Sequence, residues 1–123
     1  MIIGIGCDVI EVDRIRQAIR RRGQPLIERL YTPREIEYCE SYQDPFSRFA
    51  GRFVAKEALV KALGCGIGAG CSWLDIEILN ESNGKPYVAW NLDVSTRFGI
   101  VKTHLSISHT ASIAIAYAVL ESE

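Results

Sequence analysis

The stretch RFAGRFVAKEALVKALG, residues 48 to 64, constrains the fold more than any other part of the chain. Its apolar spacing predicts a helix over about 46 to 63. At about 100° per residue, Phe46, Phe49, Ala50, Phe53 and Val60 share one face. Glu57 lands near the middle of that face, and Lys61, one turn on, at its edge. A lone ionised carboxylate in an apolar stripe is costly and neutralises unless it is partnered. Lys61 at i+4 is in reach, with the acid on the favourable N-terminal side. The pair reads either as a partly buried structural ion pair or as part of a face that opens on a cleft.

The remaining elements are read around this helix. Residues 2 to 9 alternate, with Ile3, Ile5, Cys7 and Val9 on one side and Gly4, Gly6 and Asp8 on the other. That is a strand with a bare glycine face, ending in a carboxylate. A helix from about Asp13 to Arg22 follows, capped by Asp13, and Gly23 and Pro25 break it. Thr32-Pro33-Arg34-Glu35 is a helix start, with Thr as N-cap and Glu at the third position. GCGIGAG, residues 64 to 70, ends the long helix in a glycine-rich loop. Leu74, Ile76 and Ile78 mark a strand, Asn83-Gly84 a two-residue hairpin turn, and Pro86 to Trp90 the returning strand. A short helix over 93 to 98 and strands over about 102 to 108 and 112 to 120 complete the chain. The expected class is α+β, an antiparallel sheet packed with helices in one compact domain over residues 1–123.

Charge narrows the function. The formal net charge is -1, which does not fit bulk nucleic-acid binding. Between Arg14 and Arg34, however, seven arginines face only Glu28, a local basic surface suited to an acidic partner. No apolar run approaches the ~20 residues of a membrane span. The four cysteines, Cys7, Cys39, Cys65 and Cys71, show no zinc spacing and read as thiols in a reducing cytoplasm; Cys65 and Cys71 are near enough in sequence to approach each other.

Two acids carry the possible chemistry. Asp8 lies beside glycines, where a ligand comes close to the backbone, and Glu57 needs a partner. Two carboxylates suit Mg²⁺, which keeps several waters and commonly also binds substrate phosphates. LSISHT, residues 105 to 110, brings Ser106, Ser108, His109 and Thr110 together, but no GxSxG elbow or neighbouring acid makes a hydrolase triad. The residues alone point to an α+β domain binding Mg²⁺ and a phosphorylated ligand.

Five separated blocks resemble one family, the holo-acyl-carrier-protein synthases among the 4′-phosphopantetheinyl transferases. They are GIGCDVIEVDRI, LYTPREIEYCES, RFVAKEALVKALGCGIG, NGKPYV and HLSISHT, in the family's order. The resemblance implies transfer of the phosphopantetheine arm of coenzyme A to a serine of apo-acyl-carrier protein, for fatty acid biosynthesis. It implies Mg²⁺, a homotrimer and an active site between subunits. Asp8 and Glu57 would hold the metal, and Lys61 would contact phosphates, with Glu57 the candidate base. Arg52, Asn83, Lys85, Pro86, Ser108, His109 and Thr110 would line the coenzyme A site. The helix with Arg14, Arg20, Arg21 and Arg22 would dock the acidic carrier protein. The competing readings are a non-catalytic coenzyme A-binding module and a Mg²⁺-dependent phosphohydrolase.

Overall fold

The computed structural model describes residues 1–123. The chain begins with β1 (Ile2–Glu11) and four helices: α1 (Val12–Arg22), α2 (Gln24–Leu30), α3 (Pro33–Glu40) and α4 (Phe46–Leu63). The hairpin β2 (Ile76–Asn80) and β3 (Pro86–Trp90), helix α5 (Leu92–Phe98) and strands β4 (Lys102–His109) and β5 (Ile113–Glu121) follow. One sheet has the order β1-β5-β4 and the other pairs β2 with β3; every pairing is antiparallel. This is the expected α+β class. No helix is long and apolar enough to cross a membrane.

The glycine face of β1 has a direct cause. A Cβ on Gly4 would stand 1.8 Å from the carbonyl oxygen of Ala62, and one on Gly6 1.9 Å from that of Ala58. The backbone of α4 therefore rests on the backbone of β1. Ala114, Ala116 and Ala118 of β5 are buried in the same core, and Ala55 and Ala58 of α4 are fully buried. Small residues meet small residues, so helix and sheet close tightly.

The other side of this sheet is also apolar, and open. Ile3, Ile5 and Val9 of β1 and Ile113, Ile115 and Tyr117 of β5 are 42–60% exposed. Six large apolar side chains on one face make a patch of the kind that marks an association surface.

Several expectations change. The apolar stripe predicted for α4 is too narrow: the helix is enclosed on nearly every side, with Val54, Ala55, Lys56, Ala58 and Leu59 fully buried. A helix buried all round is not indexed by one stripe. Asp8 does not end its strand, because β1 runs on to Glu11 and passes straight into α1. Neither Asp8 nor Asp13 caps α1; Glu11 stands at the N-cap and makes no side-chain cap bond. Gly23 breaks the helix as expected, and a further helix follows at once. Gly23, at φ 71°, ends α1 and starts α2, with Pro25 in the first turn where proline is tolerated. Leu74 belongs to a 3₁₀ turn, Trp73–Asp75, closed by Ser72 and Asp75, so β2 starts at Ile76. The β2–β3 connection is longer than two residues. Glu81 pairs with Lys85 across it, and Gly84 takes the positive φ of 89°. The Thr32 cap is as expected, a reciprocal box with Glu35. All four cysteines are free.

One buried charge pair was not anticipated. Lys56 and Glu35 are both fully buried, with Nζ 2.7 Å from Oε1. Burial pulls the Lys56 ammonium below its ordinary pKa, and Glu35 offsets part of that.

Candidate active site

Helix α4 carries two clusters of charged residues on opposite flanks. Relative to Arg52, Glu57 is turned by about 140° and Lys61 by about 180° around the helix axis.

The first cluster lies where α4 meets β1. Lys61 Nζ donates to Asp8 Oδ1 and to the Cys7 carbonyl, both at 3.1 Å. The expected Glu57–Lys61 ion pair does not form; Lys61 pairs with Asp8 instead. The strand offers both a carboxylate and a carbonyl, which the neighbouring turn of helix cannot. Glu57 is half-buried. Burial pushes its carboxyl above the ordinary value, the nearby Asp8 charge adds to this, and Lys61 offsets part. A carboxyl disfavoured in its charged form beside a second carboxylate favours further positive charge. No group of three or more His, Cys, Asp or Glu residues gathers anywhere. Asp8 and Glu57 are two hard oxygen donors, and a metal held by them would take water and phosphate at its other positions. That donor set fits Mg²⁺.

The second cluster lines a polar cleft of about 140 Å³ between α4, the β2–β3 hairpin and the end of β4. Its walls include Arg48, Arg52, Asn80, Pro86 and His109. Arg52 is 4% exposed and donates from Nη2 to Asn80 Oδ1, while its Nε, equally buried, has no partner. An unpaired buried guanidinium N–H is expensive and signals a missing acceptor. Arg48 lies 2.7 Å from His109 Nε2. The two arginines stack on Tyr42 and Tyr38, each 4.0 Å from the ring centroid. Stacking fixes both forks, and no carboxylate lines the cleft, so the site suits a phosphate.

The remaining predicted residues are placed unevenly. Pro86 and His109 reach the cleft. Asn83 accepts from the Lys85 backbone N–H at 3.0 Å and shapes the turn. Lys85 is exposed there, with no side-chain bond. Thr110 accepts from Ser112 and Ile113 and builds the β4–β5 turn. Ser108 is exposed and out of step with Ile107, which packs on Gly51 of α4, so it faces away from the helix. Sequence reading passed over Arg48 and Asn80. The spacing Tyr38, Tyr42, Arg48, Arg52 was the available signal: two tyrosines four apart, followed by two arginines four apart.

A third feature adjoins α1. Arg14, Arg22 and Arg29 surround a largely apolar groove of about 330 Å³ floored by Ile15, Ile19, Leu26, Phe53 and Trp73. Arg20 is not part of it; with Arg16 it lies against the Phe46 ring.

The chain matches the family described as 4′-phosphopantetheinyl transferase superfamily over residues 4–118. It is 48% identical over 122 residues to a holo-[acyl-carrier-protein] synthase of Protochlamydia amoebophila, covering 99% of this chain and 100% of that protein. Its fold is similar to the Helicobacter pylori holo-[acyl-carrier-protein] synthase in complex with coenzyme A. That match has a TM-score of 0.89 at 37% identity, over 95% of this chain and 99% of the other. The Bacillus anthracis holo-(acyl-carrier-protein) synthase, in complex with CoA (3′,5′-ADP), gives 0.86 at 39% identity over 100% and 99%.

Proposed function

The chain belongs to the 4′-phosphopantetheinyl transferase superfamily, and on that premise we propose that it makes holo-acyl-carrier protein. It transfers the 4′-phosphopantetheine moiety of coenzyme A to a serine of apo-acyl-carrier protein and releases adenosine 3′,5′-bisphosphate. The observation that carries this reading is α4 itself: one helix holds an acid–lysine cluster on one flank and an unsatisfied phosphate cleft on the other. A substrate with a pyrophosphate and a separate terminal phosphate needs both.

The serine hydroxyl attacks the β-phosphorus of coenzyme A, and the bond from that phosphorus to the bridging oxygen breaks. Charge grows on the phosphoryl oxygens and the departing adenosine bisphosphate. Lys61, held by Asp8, stabilises that charge. Glu57 takes the serine proton. Asp8 and Glu57 would hold Mg²⁺, which would supply positive charge to the pyrophosphate. Arg52 and Arg48, with His109, grip the terminal phosphate.

A homotrimer joined through the open face of β1 and β5 is part of this reading. Its apolar patch supports it, as does the separation of the two clusters within one chain. A neighbour's phosphate cleft then completes each acid–lysine cluster. The groove between Arg14, Arg22 and Arg29 receives an acidic carrier protein, its apolar floor taking a hydrophobic side chain. The same reading places the chain in the cytoplasm, where its free cysteines stay reduced.

Intact-mass analysis of apo-acyl-carrier protein with the chain, coenzyme A and Mg²⁺ tests the proposal. The expected result is a gain of one phosphopantetheine arm, abolished by EDTA. Release of adenosine bisphosphate without any gain on the carrier would instead make the chain a hydrolase.

A further inference from the structure

The Lys56–Glu35 pair has no place in the chemistry above, yet it adjoins the central acid in sequence. Lys56 Nζ donates to Glu35 Oε1 at 2.7 Å, to the Leu30 carbonyl at 2.8 Å and to the Trp73 carbonyl at 3.0 Å. Glu35 accepts from the backbone N–H groups of Thr32 and Ile78, both at 2.8 Å. Five points, on α2, α3, α4, β2 and the turn before it, thus meet at one sealed charge pair. Desolvating two charges offsets most of what their attraction returns, so such a pair is a poor source of stability.

Its value lies in geometry. Against the sheet, α4 lays Ala58 and Ala62 on Gly4 and Gly6 of β1, and buried alanines of α4 and β5 share the same core. Lys56 ties the same turn of α4 to fixed backbone carbonyls in other elements. A rotation of α4 by about 20° moves a side-chain tip by about 2 Å at a helix radius of about 5–6 Å. Misplacement on that scale costs a catalytic group roughly 100-fold.

We propose that Lys56 and Glu35 are positioning residues: their buried pair sets the rotation of α4 and so aims Glu57 at Asp8 and the phosphoryl group. The proposal rests on the function argued above. It is tested with the volume-matched double variant Lys56→Met/Glu35→Gln and with Glu35→Gln alone, which leaves the lysine its two carbonyl acceptors. Circular dichroism and melting establish folding. For the folded double variant, kcat for transfer falls roughly 10- to 100-fold while KM for coenzyme A stays within about twofold. Mn²⁺ binding with coenzyme A present, followed by electron paramagnetic resonance, weakens by a similar factor. Glu35→Gln shows the same split to a smaller degree, and it decides the matter if the double variant does not fold. A folded variant with wild-type kcat and Mn²⁺ affinity, or a rise in KM alone, overturns the proposal. Absence of transfer by the wild-type chain would instead remove the functional reading, and the Mn²⁺ titration would still judge the anchor.

Discussion

A single carboxylate in an apolar helix was the most legible residue of the chain. Glu57 stood out because its burial is expensive, and Asp8 because glycines surround it. Lys61 was legible as a partner, though its nearest acid proved to lie on the strand. Arg48 and Lys56 were not legible. A lone arginine on a helix end is common, and a buried lysine cannot be told from an exposed one until its acceptors, the Leu30 and Trp73 carbonyls, are known. Two outcomes test the residues themselves. Glu57→Gln lowers the transfer rate by roughly 100-fold or more, read by intact mass, while calorimetry finds coenzyme A still bound. Arg52→Ala raises KM for coenzyme A by roughly 10-fold or more, the scale of a lost charge-assisted hydrogen-bond set. With 3′-dephospho-coenzyme A the same variant matches wild type, because the group that Arg52 serves is missing.

Elements were read well where periodicity was strong and poorly where one residue served two of them. Gly23 ends one helix and begins the next, so a breaker signal concealed α2 and with it Leu26, Arg29 and Leu30 of the arginine-lined groove. The alternation of β1 announced a glycine face, but only the packed helix explains it. Gly6→Ala pushes a methyl group into the Ala58 carbonyl and lowers stability by about 1–3 kcal/mol or more, measured by urea unfolding. The join between α3 and β2 carries a pH dependence. Burial raises the Glu77 carboxyl, but hydrogen bonds from Arg34 and Thr32 outweigh it and hold the group below the ordinary 4.5. A depressed acid contributes stability above its unfolded pKa and loses it as pH falls through the folded value. The melting-temperature gap between wild type and Glu77→Gln is therefore widest near neutrality and closes as pH falls below 4.5.

At the scale of the molecule, the proposed assembly makes two predictions. Ile5→Asp places a charge in the open apolar face; sedimentation then finds monomer in place of trimer, and transfer is lost. Mixing Glu57→Gln chains with Arg52→Ala chains restores activity if each site draws on two subunits. Random assembly of equal amounts leaves roughly a quarter of the clefts intact on both sides. β5 bears on how such a molecule reaches its fold. It has two apolar faces, one of alanines and one of isoleucine, tyrosine and valine, offset by a single residue. A slip of one position would exchange them, and hydrophobicity would not register the error, since both faces shun water. Volume would. The space beside α4 takes the methyl groups of Ala114, Ala116 and Ala118, and isoleucines and a tyrosine in their place would overfill it. The closeness of helix to sheet thus acts as a proofreading step, in which the wrong register is refused by size where polarity is blind to it.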